Sequence, residues 1–221
     1  MAIEKLIPLL ANGVRDTMYM TVVSTLFAYL LGMPLAILLV LTSPKGLRPQ
    51  PLLYRVLDAV VNTLRSIPFL ILMILVIPIT RFIAGKAYGS TATIVPLVIA
   101  AAPYVARMIE SSLLEVDPGV IEMAQSMGAS VPAIIFKVLL PEAKTSLIVG
   151  ATISSGTILG YSAMSGAIGG GGLGQIAISY GYNRYQTDVL IVTVILLIVL
   201  MQIIQIIGMA ISRKTDKRIR E

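Results

Sequence analysis

The stretch VLIVTVILLIVLMQIIQIIGMAIS, residues 189–212, decides the fold class, because it contains no Asp, Glu, Lys or Arg. About 20 consecutive apolar residues are enough to cross the hydrocarbon core of a bilayer as a helix. Within lipid a helix satisfies its own backbone groups, so an open strand is not an alternative. Residues 18–43, 87–106 and 145–183 are equally free of charge. Several such runs in one chain predict a polytopic, all-α integral membrane protein, since a soluble core cannot hide them all. The composition agrees. Of 221 residues, 57% are hydrophobic and 13% charged, against about 25% charged in an ordinary soluble domain.

Outward from that stretch, five spanning helices are expected, at about residues 17–41, 57–80, 90–110, 143–164 and 188–212. Turn and breaker residues separate them: Ser43-Pro44-Lys45-Gly46, the stretch 85–89, and the long segment 111–141. The first residues do not read as a cleavable signal, because Lys5 precedes only a short apolar stretch before Asn12, Gly13 and Arg15; a short interfacial helix is the alternative. With no internal repeat or low-complexity linker, residues 1–221 read as one domain.

Lys and Arg in the loops set orientation. With the C-terminus in the cytoplasm, the inner side collects Lys45, Arg48, Arg55, Arg107, Lys137, Lys144 and the basic tail from Arg213 to Arg220. The outer side then holds Lys5, Arg15, Arg81, Lys86 and Arg184. Five crossings place the N-terminus outside. The net charge of +6 is therefore assigned to orienting loops and anionic lipid, and not to nucleic acid.

Cys and His are absent. That excludes disulfides, thiolate metal sites, Cys nucleophiles and a Ser-His-Asp triad. The carboxylates are scattered, so no metal site is expected. No G-x-x-x-x-G-K-[ST] occurs, and phosphate cradling for ATP has no candidate. Gly169 to Gly174 matches G-x-G-x-x-G, but a dinucleotide site needs that motif between a strand and a helix, and here it follows a span. The glycines read as a tight external loop.

The segment 111–141 is the informative one. Asp117 before Pro118 is an N-cap followed by a proline suited to a first helical turn. Gly128 is a natural C-terminal stop. A helix over about residues 118–127 follows, too short to span. Ser130 and Pro132 start a second helix, which Pro141 kinks into the fourth span. A short capped helix between spans either docks into another protein's groove or packs on its own chain as a connector.

The spacing Glu122-x-Ala124, then Gly128, then Val138-x-Leu140-Pro141 resembles the EAA loop of ABC importer permeases, with Met123 where that family most often has Ala. The stretch NTLRSIPF, residues 62–69, resembles the second span of amino-acid importer permeases. The stretch GYSAMSGAIGGGGLGQ, residues 160–175, resembles the methionine-import permeases. The resemblance implies a type I ABC importer permease fold and import of methionine, L- and D-. It also implies a homodimer, two ATP-binding subunits that hold ATP and Mg, and a periplasmic or lipid-anchored methionine-binding protein that meets the external loop. Pro118, Glu122, Ala124, Gly128, Leu140 and Pro141 are then the residues of ATPase coupling, with no catalytic residue or cofactor on this chain and a place in the bacterial inner membrane.

Two constellations belong to a candidate substrate pathway. Asp58, Asn62 and Arg65 fall at i, i+4 and i+7 on one helix face. They form either a polar stripe along the pathway or an interfacial set with Arg65 reaching lipid phosphates. Tyr161, Ser162 and Met164 sit in the outer part of the fourth span, where a ring and a thioether suit an apolar, polarisable substrate side chain; ordinary helix packing is the alternative. Pro34, Pro68, Pro78, Pro96 and Pro103 are expected to bend spans. Gly32, Gly150 and Ala100 to Ala102 allow close helix approach. A secondary transporter would need repeats or midplane ionisable groups. A membrane hydrolase would need catalytic side chains that this chain lacks.

Overall fold

The computed structural model describes residues 3–215, and its longest helices coincide with the apolar runs. The elements are α1 (Ile3–Thr42), α2 (Pro51–Ser66), α3 (Phe69–Leu75), α4 (Ile77–Ala84), α5 (Ser90–Leu114), α6 (Pro118–Ser126), α7 (Val131–Ile134), α8 (Leu140–Glu142), α9 (Lys144–Ser165), α10 (Gly172–Ile176) and α11 (Thr187–Thr215). π-helical turns lie at Ile135–Leu139 and Ala177–Tyr182. Among the described residues, four stretches are long and apolar enough to cross a membrane: Leu6–Thr42, Ser90–Leu114, Lys144–Tyr182 and Thr187–Thr215. The bent pair α2 and α3 makes a fifth if it counts as one span.

The second expected span is corrected. Residues 57–80 do not form one helix; α2 and α3 meet at a bend of 102°. Pro68, with φ −56° and ψ 133°, has no N–H to continue the ladder and holds the backbone extended. Pro78 then opens α4, which Gly85 closes at φ 72° with its N–H bonded to Arg81 O at 3.0 Å. The break at Val76 is milder, since Val76 N bonds Leu72 O at 2.9 Å and Thr80 N bonds Val76 O at 2.8 Å across it.

The N-terminal segment is also not a separate interfacial helix. It is the beginning of α1, in which Pro8 removes only one backbone bond. Leu6, Leu9, Leu10 and Val14, one stripe at helical spacing, pack on Leu173, Ile176 and Val189, and this burial keeps the helix going through Asn12 and Gly13.

The chain forms two compact units. One comprises residues through Ala28, Ile67–Ala101 and Ser155–Gln205; the other comprises Tyr29–Ser66, Ala102–Ser154 and residues from Ile206 on. In the first, Met20, Phe69, Met73 and Leu97 make a buried cluster with Ala100, Tyr161 and Ile168 against it. In the second, Gly32 allows α1 to approach α5 closely, because a Cβ there would stand 2.9 Å from Val105 Cγ1 and 3.0 Å from Ala102 O. Ser146 bonds Ser112 across α9 and α5 at 3.1 Å. Outward-facing side chains are mostly apolar: of the most apolar window of α11 only 6% is buried, and Ile195, Ile198, Ile206 and Ile207 are exposed. Such a surface suits hydrocarbon, not water. Arg213 and Lys214 close α11; the rest of the expected basic tail, from residue 216, lies outside the described residues.

Candidate functional site

The segment between α5 and α9 is built from local rules. Asp117 is the N-cap of α6, and its Oδ1 accepts from Gly119 N at 2.7 Å, with Pro118 in the first turn. At the other end Gly128 has φ 76°. Gly128 N donates to Gln125 O at 2.9 Å and Ala129 N to Ala124 O at 3.0 Å. These two bonds are a Schellman closure, which requires a left-handed residue at the glycine. Both ends of a nine-residue helix are thus satisfied by the chain itself.

Ala124 is buried and turns α6 onto its own unit, while Glu122, Met123, Gln125 and Met127 are exposed. Position 123, where the EAA pattern usually has Ala, lies on this exposed side. Ser130 caps α7 by accepting from Ala133 N at 3.4 Å. The chain then widens into the π-turn at Ile135–Leu139, where Leu140 N bonds Ile135 O. That widened turn ends immediately before Leu140 and Pro141. A proline ring crowds the carbonyl four residues earlier in an ordinary helix, and the π-turn is where this chain changes register. Leu140 is half-buried and Pro141 exposed.

The polar stripe has a different partner from the one its spacing suggests. Asn62 Nδ2 donates to Asp58 Oδ2 at 3.1 Å, as the i, i+4 spacing requires. The cation that meets them is Arg107 of α5. Its Nη2 bonds Asp58 Oδ1 and, at 3.1 Å, Asn62 Oδ1, and its Nη1 bonds Glu110 Oε2 at 2.7 Å. Arg65 lies exposed at the end of α2 and makes no ion pair among the described residues.

Tyr161 is half-buried and lies flat on Phe69, with ring centroids 4.6 Å apart and planes 6° from parallel. Ser162 is buried, and its hydroxyl donates to Leu159 O at 2.7 Å. Met164 is exposed. Neither Phe69 nor Arg107 carries a sequence signal for its partner, Tyr161 in one case and Asp58 in the other.

The glycine stretch is a packed backbone crossing. Gly89 N bonds Gly169 O at 2.9 Å, Thr93 Oγ1 bonds Gly170 O at 3.1 Å, and Leu173 N bonds Thr17 Oγ1 at 2.9 Å. A Cβ on Gly174 would collide with the backbone of Ala163, and one on Gly166 with Gly174 and Gln175. Beside it a cleft of about 380 Å³ is lined by Asn12, Asp16, Gln175, Ser179 and Arg184. Arg184 lies 4.4 Å above the Tyr180 ring.

The chain is similar to known proteins in sequence and fold. Residues 28–221 match the family described as binding-protein-dependent transport system inner membrane component. The chain is 50% identical over 210 residues to the probable D-methionine transport system permease protein MetI of Vibrio cholerae, covering 95% of this chain and 93% of that one. It is 46% identical over 207 residues to the methionine import system permease protein MetP of Bacillus subtilis, covering 94% and 93%. An inward-facing structure of the MetNI methionine ABC transporter superposes with a TM-score of 0.95 at 46% identity, covering 97% of this chain and 99% of that one.

Proposed function

Because this chain belongs to the inner-membrane components of binding-protein-dependent transport systems, in the branch of methionine-system permeases, we propose that it forms the translocation pathway for methionine and couples it to ATP hydrolysed on a separate subunit. The observation that carries the coupling is α6: a helix too short to span, closed at both ends by its own chain and presenting Glu122, Met123 and Met127 outward. Such a helix fits a groove on a partner as a rigid body.

In this reading two copies of the chain enclose the pathway, and two ATP-binding subunits, which hold ATP and Mg, seat the two α6 helices. The N-terminus lies outside and the C-terminus in the cytoplasm of the bacterium, and a methionine-binding protein delivers substrate at the external face carrying the glycine stretch. Closure of the ATPase pair displaces α6 and with it α5, from which only three residues, 115–117, separate it. α7 to α9 follow through Leu140 and Pro141. The dimer then exchanges inward- and outward-facing states, which a ligand-driven shift in a two-state assembly permits.

Tyr161 and Met164 are the proposed substrate contacts, with the Ser162 hydroxyl holding the helix backbone between them. Asn62 and Arg65 belong to the inner end of the path. The test is competition uptake in vesicles containing the permease, its ATPase and its binding protein: labelled L-methionine is challenged with D-methionine and with leucine. Tyr161→Ala and Met164→Ala are expected to change the preference for methionine over leucine by roughly 3- to 10-fold, the size of a lost ring or thioether contact, with assembly intact. Unchanged preference in both variants excludes these residues from the pathway.

A further inference from the structure

We infer that Arg107 is a positioning residue that transmits the displacement of α6 to α2; this rests on the reading of α6 as the ATPase-coupling helix. Both ion pairs found among the described residues use this one side chain. Its fork reaches in two directions at once. Nη1 holds Glu110 on its own helix at 2.7 Å, and Nη2 crosses to Asp58 and to Asn62, the latter at 3.1 Å. Asn62 closes the ring by donating to Asp58 Oδ2 at 3.1 Å. The two side chains of α2 are therefore fixed to each other before either is fixed to α5. A planar guanidinium suits such two-sided holding in a way that a lysine ammonium does not.

The network's surroundings make a purely stabilising role a poor explanation. The side chains of Arg107, Asp58 and Glu110 are 18%, 34% and 8% exposed. An ion pair as open as Arg107 with Asp58 returns little net stability, and desolvation offsets much of what the buried Glu110 gains, so apolar side chains would hold the two helices at least as well. Ionisable groups in spanning segments concentrate where the protein works.

The position of the network along the chain supplies the work. Arg107 lies two turns before the end of α5 at Leu114, and α6 begins at Pro118. The intervening turn has no slack, because Val116 is buried with its N–H on Leu113 O at 3.4 Å and Asp117 caps α6. A push on α6 therefore moves the end of α5, and the Arg107 bonds move α2 with it. α2 continues in sequence through Ile67 and Pro68 to Phe69, the residue stacked on Tyr161.

The experiment uses the full complex of permease, ATPase and binding protein in vesicles, and reads ATP hydrolysed per L-methionine taken up. Asp58→Asn keeps shape while removing the charge that crosses between helices. Arg107→Gln removes the whole fork, and Arg107→Lys keeps charge without the fork. Asp58→Asn and Arg107→Gln are expected to lower uptake roughly tenfold while hydrolysis stays within about twofold of the parent, so that the ATP spent per methionine rises by roughly fivefold or more. Arg107→Lys is expected to fall between, and the exchanged pair Asp58→Arg with Arg107→Asp to recover part of the ratio. If Arg107→Gln fails to insert, Asp58→Asn carries the test alone. A parent-like ratio in Asp58→Asn, whether uptake and hydrolysis are both unchanged or fall in parallel, overturns the transmission role. An unaltered complex that takes up no methionine refutes the functional reading beneath it instead.

Discussion

Glu122→Lys is expected to abolish productive contact with the ATPase while leaving the permease inserted and folded. Glu122 is exposed on α6, its backbone carbonyl accepts from Ser126 Oγ at 2.9 Å, and its carboxylate has no ion-pair partner among the described residues. The permease alone loses nothing by the reversal, whereas a groove complementary to the carboxylate meets a like charge. Truncation of a central interface residue typically costs 2 kcal/mol or more, about 30-fold in affinity, and reversal costs at least as much. ATPase retained on an affinity column is expected to fall by about that factor, with uptake falling at least as far.

Gly128→Val reaches the same end by another route. Open space surrounds that position, so no clash occurs, but φ 76° is a conformation that a β-branched residue strongly avoids. The Schellman closure opens, α6 frays, and about 1–3 kcal/mol of local order is lost. ATPase retention at the parent level in both variants removes α6 from the interface.

The second large effect lies in the glycine crossing. Gly174→Val places side-chain atoms against the carbonyl, carbonyl carbon and Cα of Ala163. These are backbone atoms of α9, so no rotamer change relieves the overlap. A Cβ on Gly166 would likewise meet the backbone of Gly174 and Gln175, so the two segments are already in backbone contact here. Overpacking of this kind typically costs 1–3 kcal/mol and more where backbone is involved. Gly174→Val is expected to lose most of its monodisperse protein in detergent, or to unfold at a clearly lower temperature. Gly160→Ala is the control. Gly160 lies mid-helix in α9 with nothing within 4 Å of an added Cβ, so its stability is expected to hold or rise by about 0.5–1 kcal/mol through helix propensity. Equal stability of the two variants contradicts the packed crossing.

The helix expected at about 118–127 was readable from the chain alone because caps are local: an Asp-Pro start and a glycine stop act over one turn each. The spans at 90–110, 143–164 and 188–212 were readable from charge-free runs, although the run 145–183 continues well past the end of α9 at Ser165. The stretch 57–80 is not the single continuous helix expected, because hydropathy averages over Pro68, where the backbone breaks. The polar stripe was half legible. Helical spacing placed Asp58 and Asn62 on one face, but their cation stands 49 and 45 positions away, beyond anything periodicity reports. The same holds for the stack of Phe69 on Tyr161. The glycines announced a special backbone, but their spacing could not distinguish an open turn from two backbones in contact. That distinction depends on what lies opposite, and nothing in the sequence shows that Gly174 and Gly166 fold back onto each other's backbone.

The most direct measurement is accumulation of labelled L-methionine in vesicles holding the purified permease with its ATPase, ATP trapped inside and the binding protein outside. Accumulation above the external concentration is predicted, dependent on hydrolysable ATP and lost without the ATPase subunit. Methionine uptake by the permease alone, at the same rate without ATP or ATPase, contradicts a coupled importer and makes the chain an autonomous transporter.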